Sequence, residues 1–277
     1  MKIDTHQHFW KYNAGEYGWM DGRMESIKRD FLPPDLEPWL RETGIDGTIA
    51  VQARQTPEES GWMLELAARF PFIKGVVGWV DLRSPGVAEQ LEKLAENPRF
   101  VGVRHVLHDE PDDRYMMRED FRRGVAQLAS FDLTYDLLLF PRHLPAAVEF
   151  VRLFPNQLFV LDHIAKPFIK KGEMEPWARD LRRLAEFENV FCKISGMVTE
   201  AEWNQWSPSD FTPYLDVVLE SFGTHRVMVG SDWPVATLAA TYAEVMGVAS
   251  DYLAKLSGSE RAAVWWNNAK NFYIFPA

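Results

Sequence analysis

The chain alternates between two kinds of segment along almost its whole length. Short runs rich in β-branched residues recur about every 32 residues, and amphipathic stretches with helical periodicity lie between them. Parallel strands need a crossover connection of about this size, usually a helix. Eight such runs are present, at residues 2–6, 48–53, 75–80, 100–105, 133–139, 158–163, 190–195 and 226–231. They predict an α/β fold, a (β/α)8 barrel of the TIM type, with residues 1–277 forming one domain.

The segments between the runs complete this pattern. Helices are predicted at residues 57–70, 85–96, 119–129, 141–153, 174–186 and 210–222, with an additional C-terminal pair at 238–256 and 259–268. An open doubly wound sheet is the main alternative, but it needs a glycine-rich turn after the first strand, and this first strand runs into His-Gln-His. Long loops are predicted at residues 13–34 and 107–118, where barrel enzymes place their active sites.

Charge and cysteine content limit the expected partners and compartment. The 40 acidic residues outnumber the 30 lysines and arginines, so neither nucleic acid nor an anionic membrane is expected as a partner. Cys192 is the only cysteine, which excludes an intrachain disulfide and a zinc site built from several thiolates. The first residues contain no apolar signal core, so we expect a cytoplasmic protein. An oligomer is possible, since the Trp and Met residues of the C-terminal helices suit an interface or internal packing equally well.

Polar residues collect where the predicted strands end. His6 and His8 end the first strand, and residues two apart on a strand point to the same side, so both imidazoles can share a metal ion. His163 ends the sixth strand and would complete a three-ligand site like that of catalytic zinc. Asp232 follows the eighth strand and could bind a metal, activate a water molecule, or both. The structural alternatives are histidines bonded to backbone carbonyls and an aspartate that caps a helix.

Cationic and aromatic residues lie near the same strand ends. Arg104, His105 and Lys166 could hold a substrate oxygen or stabilise developing negative charge, with ordinary ion pairs as the alternative. Trp10 and Trp233 could pack against the face of a sugar, with core packing as the alternative. No G-x-S-x-G motif is present, which disfavours a serine hydrolase of the α/β type.

Four motifs, in this order along the chain, resemble a known family. They are IDTHQHFW at residues 3–10, GVRH at 102–105, DHIAKP at 162–167 and GSDWP at 230–234. Together they resemble the amidohydrolase superfamily, specifically the sugar lactonases of its amidohydrolase-2 branch, which include L-fuconolactonases and L-rhamnonolactonases. The resemblance covers residues 3 to about 275.

The resemblance implies a distorted barrel that hydrolyses a 1,4- or 1,5-lactone of an aldonic acid, most plausibly of a deoxy sugar. Asp232 would be the general base, and His6, His8 and His163 would surround the lactone carbonyl, directly or through a metal. The cationic residues Arg104, His105 and Lys166 would contact the substrate.

The resemblance also bears on the metal. Binuclear members keep a lysine for carboxylation at the end of the fourth strand, where this chain has Arg104 and His105, so two ions are not expected. One divalent ion, preferably zinc, bound by His6, His8, His163 and Asp232 is one alternative, and hydrolysis without a metal is the other.

Three other functions stay open from the sequence. A metal-dependent decarboxylase or a lactone isomerase could use the same barrel. A non-catalytic protein that binds sugar acids would keep the Trp and Arg contacts and would not need Asp232.

Overall fold

The predicted barrel is confirmed in a computed structural model, which describes residues 1–274. The strands pair in parallel in sequence order from the first to the eighth. They are β1 Ile3–Gln7, β2 Gly47–Val51, β3 Ile73–Gly78, β4 Phe100–His105, β5 Thr134–Leu137, β6 Phe159–Leu161, β7 Val190–Ile194 and β8 Val227–Val229. Every strand begins within two or three residues of its predicted start, and β5, β6 and β8 are shorter than predicted.

Helices follow the strands and cover the outside of the sheet. They are α1 Pro33–Thr43, α2 Pro57–Arg69, α3 Val87–Ala95, α4 Glu119–Leu128, α5 Leu144–Arg152, α6 Trp177–Ala185, α7 Pro208–Phe222, α8 Tyr242–Leu253, α9 Gly258–Ala262 and α10 Asn268–Tyr273, with a π-helical turn at Ala263–Asn267. Short 3-10 turns lie at Gly22–Ile27, Leu107–Asp109, Tyr115–Met117, Ala129–Phe131, Pro141–His143, Asp162–Ala165, Ile169–Lys171, Val198–Glu200 and Val235–Leu238.

Helix α1 was missed from the sequence. It opens on Pro33 and Pro34, which read as loop residues, although proline is well suited to the first helical turn because its missing N–H would have no partner there. The Asp35 carboxylate accepts a hydrogen bond from the Leu32 N–H at 2.8 Å and caps this end. Burial of Leu36 and Leu40 then fixes the helix against the barrel.

Glycine allows α4 to pack directly on the connection that follows β3. A Cβ atom added at Gly124 would overlap the backbone carbonyl of Leu82, so no side chain fits between helix and loop. Gly247 in α8 is different, because a Cβ atom there would meet no atom within 4 Å.

These two glycines make a matched pair for a stability measurement. We expect Gly124→Ala to lower the free energy of unfolding by about 1–3 kcal/mol, since the clash is with backbone that cannot rotate away. Gly247→Ala should instead raise it by about 0.5–1 kcal/mol, because alanine favours the helix. Denaturant unfolding of both variants checks this, and equal stabilities would contradict the packing described here.

Candidate active site

The barrel closes at a seam between β1 and the segment after β8. The Asp232 N–H donates to the His6 carbonyl at 2.8 Å, and the His8 N–H donates to the Trp233 carbonyl at 2.7 Å. The residues that close the barrel are therefore the residues predicted to be functional, or their immediate neighbours. Closure itself places His6, His8 and Asp232 side by side.

The buried carboxylate of Asp4 stabilises the same seam. Its carboxylate accepts hydrogen bonds from the Ser231 N–H at 2.9 Å, the Ser231 hydroxyl at 2.6 Å and the Tyr242 hydroxyl at 3.1 Å. Burial raises the pKa of Asp4 to about 6, although these hydrogen bonds oppose the shift. Asp4 thus ties β1, the chain after β8 and helix α8 to one buried group.

Three imidazoles and one carboxylate meet at this end of the barrel. His8 Nε2 lies 3.3 Å from His6 Nε2 and 3.3 Å from Asp232 Oδ1. His6 Nε2 and His163 Nε2 lie 3.9 and 3.8 Å from the same oxygen. None of the four side chains exposes more than 6% of its surface. The structure brings together all four residues that the sequence suggested for catalysis and metal binding.

Neighbouring polar groups hold the rings of two of the histidines. His8 Nδ1 lies 2.8 Å from the Val51 carbonyl, which can only accept, so the proton is on Nδ1. Arg104 Nη1, which can only donate, lies 3.2 Å from His6 Nε2, and His6 Nδ1 lies 3.2 Å from both Asp162 Oδ1 and Lys193 Nζ. Both Nε2 atoms lie close to Asp232 Oδ1, at 3.9 Å for His6 and 3.3 Å for His8.

A divalent cation fits this arrangement. Two imidazole Nε2 atoms and a carboxylate oxygen, all of them atoms that bind divalent metal ions, lie together in a buried site. Atoms bound to one tetrahedral zinc ion at about 2.0–2.1 Å lie about 3.3 Å apart. His6 Nε2 to His8 Nε2 and His8 Nε2 to Asp232 Oδ1 both have this separation. These three residues would hold the ion, and a second group of His6, Asp162 and His163 also has ligand spacing.

The protonation states agree with this role. Burial lowers the pKa of His163 to about 3 and holds the pKa of His6 well below its usual value, so both imidazoles are neutral at neutral pH. Burial opposes ionisation of Asp232, but the neighbouring imidazoles of His163 and His8 outweigh it and hold the pKa of Asp232 below its usual range. The site therefore combines a carboxylate with the neutral imidazoles of His6 and His163.

A buried charge cluster supports His6 from the barrel interior. Asp162 lies 3.0 Å from Lys193 Nζ and 3.1 Å from Arg104 Nη1, and Lys193 also pairs with Asp136. Gln52 accepts a hydrogen bond from Arg104 Nε at 2.9 Å. Asp162, Asp136 and Lys193 have no exposed side-chain surface. The cluster holds the orientation of the His6 ring, as carboxylate–histidine pairs do beneath metal sites.

His163 is held by a strained turn. Four consecutive residues, His163 to Lys166, have φ between 49° and 61°, in the left-handed region that non-glycine residues avoid. The Lys166 N–H closes the turn on the His163 carbonyl at 2.7 Å, and the Trp177 indole N–H donates to the Ile164 carbonyl at 2.7 Å. Asp232 also has a positive φ, of 58°. Backbone strain of this kind concentrates at functional sites.

Glycines make room for two of the imidazoles. A Cβ atom at Gly196, whose φ is +61°, would lie 2.6 Å from His163 Nδ1. A Cβ atom at Gly230 would lie 2.6 Å from His6 Cβ. The GSDWP motif therefore needs glycine at position 230, because a side chain there would clash with His6.

The predicted substrate-contact residues have different positions. His105 faces outward, because it follows the inward-facing Arg104 on β4 and neighbours on a strand alternate. Its Nδ1 accepts from the Trp79 indole at 3.2 Å, its Nε2 lies 2.7 Å from Glu110, and its ring stacks on Tyr115. Both nitrogens therefore have partners outside the barrel.

Arg104 and Lys166 face the site in different ways. Arg104 is buried and its guanidinium is directed to Gln52, Asp162 and His6, so its main contacts are internal. Lys166 Nζ pairs with Glu200 at 3.1 Å, and the two side chains are 14% and 20% exposed. Lys166 is thus the cation of the two that a ligand can reach more easily.

The two tryptophans lie in an aromatic cluster. Trp10 is fully buried, and its indole N–H donates to the Arg29 carbonyl at 2.8 Å. Trp233 is 2% exposed and packs edge-on against Phe31 and Phe9. In the structure, both rings are therefore part of the core packing. A substrate contact for either ring stays a prediction.

Sequence reasoning gave no role to Asp162, Asp136 or Lys193. A signal was available, because Asp136 and Lys193 interrupt the apolar runs of β5 and β7, and a buried charge inside a strand needs an opposite charge. Which charges pair across the barrel depends on register between strands far apart in the chain. That information is absent from local sequence patterns.

The fold and site define a class of protein: a (β/α)8 barrel with a His/Asp metal-binding group at the carboxyl ends of its strands. A family model described as amidohydrolase matches residues 3–275. The chain belongs to this amidohydrolase family, as the motifs predicted. Among residues 1–274, no helix has both the length and the apolar character needed to span a membrane.

Two curated relatives and one solved structure extend this comparison. The chain is 40% identical over 287 residues to L-fucono-1,5-lactonase of Burkholderia multivorans, with 100% of this chain and 97% of the relative covered. It is 38% identical to L-fucono-1,5-lactonase of Burkholderia ambifaria, with 98% and 95% covered. A crystal structure of an amidohydrolase from Burkholderia multivorans with bound zinc superposes with a TM-score of 0.93 at 41% identity, with both chains fully covered.

The buried pairing of Lys193 generates a stability prediction. Lys193→Met should lower the free energy of unfolding by about 3–5 kcal/mol, because it leaves Asp136 without its buried countercharge. Arg114→Met breaks an exposed pair with Glu149 and should cost less than about 1 kcal/mol. Urea unfolding measures both, and a Lys193→Met variant as stable as the control would show that the cluster is not a structural support.

Proposed function

We propose that this protein is a hydrolase that opens a sugar lactone to its aldonic acid, with L-fucono-1,5-lactone as the substrate. The observation that carries the proposal is the buried Asp232 carboxylate faced by His6, His8 and His163 at the end of the barrel. The choice of sugar rests on about 40% identity, over the whole chain, to two proteins named L-fucono-1,5-lactonase.

Lactone hydrolysis needs an activated water molecule and stabilisation of the oxygen anion that forms at the carbonyl. Asp232 is suited to accept the proton of the water, since its carboxylate is ionised and buried among neutral imidazoles. Because the proton moves from the water molecule to a neighbouring carboxylate, the net charge of the buried site stays the same.

The histidines are suited to hold the groups around that carboxylate. His6 and His8 bring their Nε2 atoms to within 3.3 Å of each other, and Asp162 and the Val51 carbonyl hold their rings in that orientation. A zinc ion held by His6, His8 and Asp232 would polarise the carbonyl and lower the pKa of water when bound. His163 approaches Asp232 from the turn after β6, where its imidazole can orient the substrate carbonyl or the departing ring oxygen.

The outer part of the site suits a neutral, hydroxylated ring. The Lys166–Glu200 pair is partly exposed and offers both a donor and an acceptor to hydroxyl groups. Arg104, the cation that a carboxylic acid substrate would need, is already engaged by Asp162 and Gln52. This favours a sugar lactone over the aromatic or unsaturated acid that a decarboxylase would bind.

The proposal is tested by proton release from a panel of aldonolactones, followed with a pH indicator and corrected for spontaneous opening. We expect the wild-type protein to open L-fucono-1,5-lactone faster than the other sugar lactones. Asp232→Asn should lower kcat by about 10³-fold or more, because the amide cannot accept the proton. Asp251→Asn, an exposed aspartate in α8, is the matched control and should leave kcat unchanged.

Three other outcomes would contradict the proposal in different ways. Release of carbon dioxide from an aromatic acid, with no lactone opened, would identify a decarboxylase. Conversion of one lactone to another without proton release would identify an isomerase. Tight binding of sugar acids with no turnover of any lactone would identify a binding protein.

A further inference from the structure

His108 is a histidine in the turn Leu107–Asp109, directly after β4, that the reaction described above does not use. Its ring stacks on Phe140 with a centroid distance of 4.7 Å and an interplanar angle of 15°. Arg142 Nη2 donates to the His108 carbonyl at 3.2 Å. Ring and backbone are thus both held by the segment that follows β5, which leaves the imidazole little freedom to move.

The two ring nitrogens of His108 differ in their surroundings. Nε2 lies 3.3 Å from a carboxylate oxygen of Asp109, which favours the proton on this nitrogen. Nδ1 is buried and has no hydrogen-bond partner among residues 1–274. A buried acceptor without a partner is uncommon in folded proteins and calls for an explanation.

The fold places His108 at the end of the barrel that holds the site, three residues after β4 and against Phe140, which follows β5 by three residues. Burial lowers its pKa to about 2, and the positive charges of Lys166 and Arg104 and the imidazole of His163 add to this effect. These three groups are the reachable cation, the buried cation and one of the catalytic imidazoles of the site. The imidazole is therefore neutral at neutral pH, and the side chain is 15% exposed.

We propose that His108 is a specificity-determining residue that accepts a hydrogen bond, through Nδ1, from a ring hydroxyl of the bound lactone. The inference rests on the proposed lactonase function. It names the group of the protein that distinguishes a hydroxylated lactone from one without ring hydroxyls. A hydroxyl can donate to this lone pair, whereas a carboxylate has no proton to give.

Lys166 and Glu200 complement this acceptor. The ammonium can donate to one sugar hydroxyl, while Glu200 and His108 accept from others, so neighbouring hydroxyls of one ring can all be paired. Sites built to pair a buried substrate hydroxyl discriminate strongly against analogues that lack it.

The test compares two substrates in two variants. His108→Phe keeps a flat ring to stack on Phe140 and removes both nitrogens, and His108→Asn keeps an oxygen acceptor near the position of Nδ1. The substrates are L-fucono-1,5-lactone and δ-valerolactone, a six-membered lactone without ring hydroxyls. Thermal unfolding confirms that each variant is folded.

For L-fucono-1,5-lactone, we expect His108→Phe to lower kcat/KM about 5- to 50-fold, mainly through KM, since the contact is made equally before and during reaction. His108→Asn should stay within about threefold of wild type because it keeps an acceptor. For δ-valerolactone, His108→Phe should leave kcat/KM within about twofold.

Two results would overturn the inference. An equal loss for both lactones in His108→Phe would mean that His108 only supports the structure, and no loss for either would mean that it does not contact the substrate. Failure of the proposed function is distinguishable, because it would appear in the wild-type protein as no opening of L-fucono-1,5-lactone. That result would remove the basis of this inference as well.

Discussion

The pair of backbone hydrogen bonds that closes the barrel determines the site. His6 and Asp232 share one of them, and His8 and Trp233 share the other, so the strands cannot close without bringing these side chains together. Asp4 holds the same seam through Ser231 and Tyr242. Fold stability and site geometry therefore depend on the same contacts. This explains how the protein keeps a buried cluster of polar side chains together.

Buried groups next to the seam determine how the His6 and His8 side chains are oriented. Asp162 forms ion pairs with Lys193 and Arg104 and lies 3.2 Å from His6 Nδ1, which holds the His6 ring with Nε2 toward the site. The Val51 carbonyl does the same for His8. Because partners on three different strands orient two rings, the arrangement is rigid before any ligand binds. Such preorganisation is what hydrolysis in a water-poor site requires.

Much of this account could be predicted from the sequence, and the remainder has physical causes. The strand–helix rhythm gave the barrel, and the strand ends gave His6, His8, His163 and Asp232. The alternation along β4 shows that Arg104 and His105 face opposite sides, but local patterns could not show which of them faces the barrel interior, because the register of the strand decides this. They also missed helix α1, whose prolines resemble a loop, and the pairing of Lys193 with Asp136 and Asp162, which depends on the register of distant strands.

The central claim is that His6, His8 and Asp232 converge on a single cation. Crystals of the protein grown with zinc and measured on both sides of the zinc absorption edge test it directly. The account predicts one anomalous peak per chain, within coordination distance of His6 Nε2, His8 Nε2 and Asp232. A peak elsewhere in the chain, or a zinc-free cluster at saturating zinc, would contradict it.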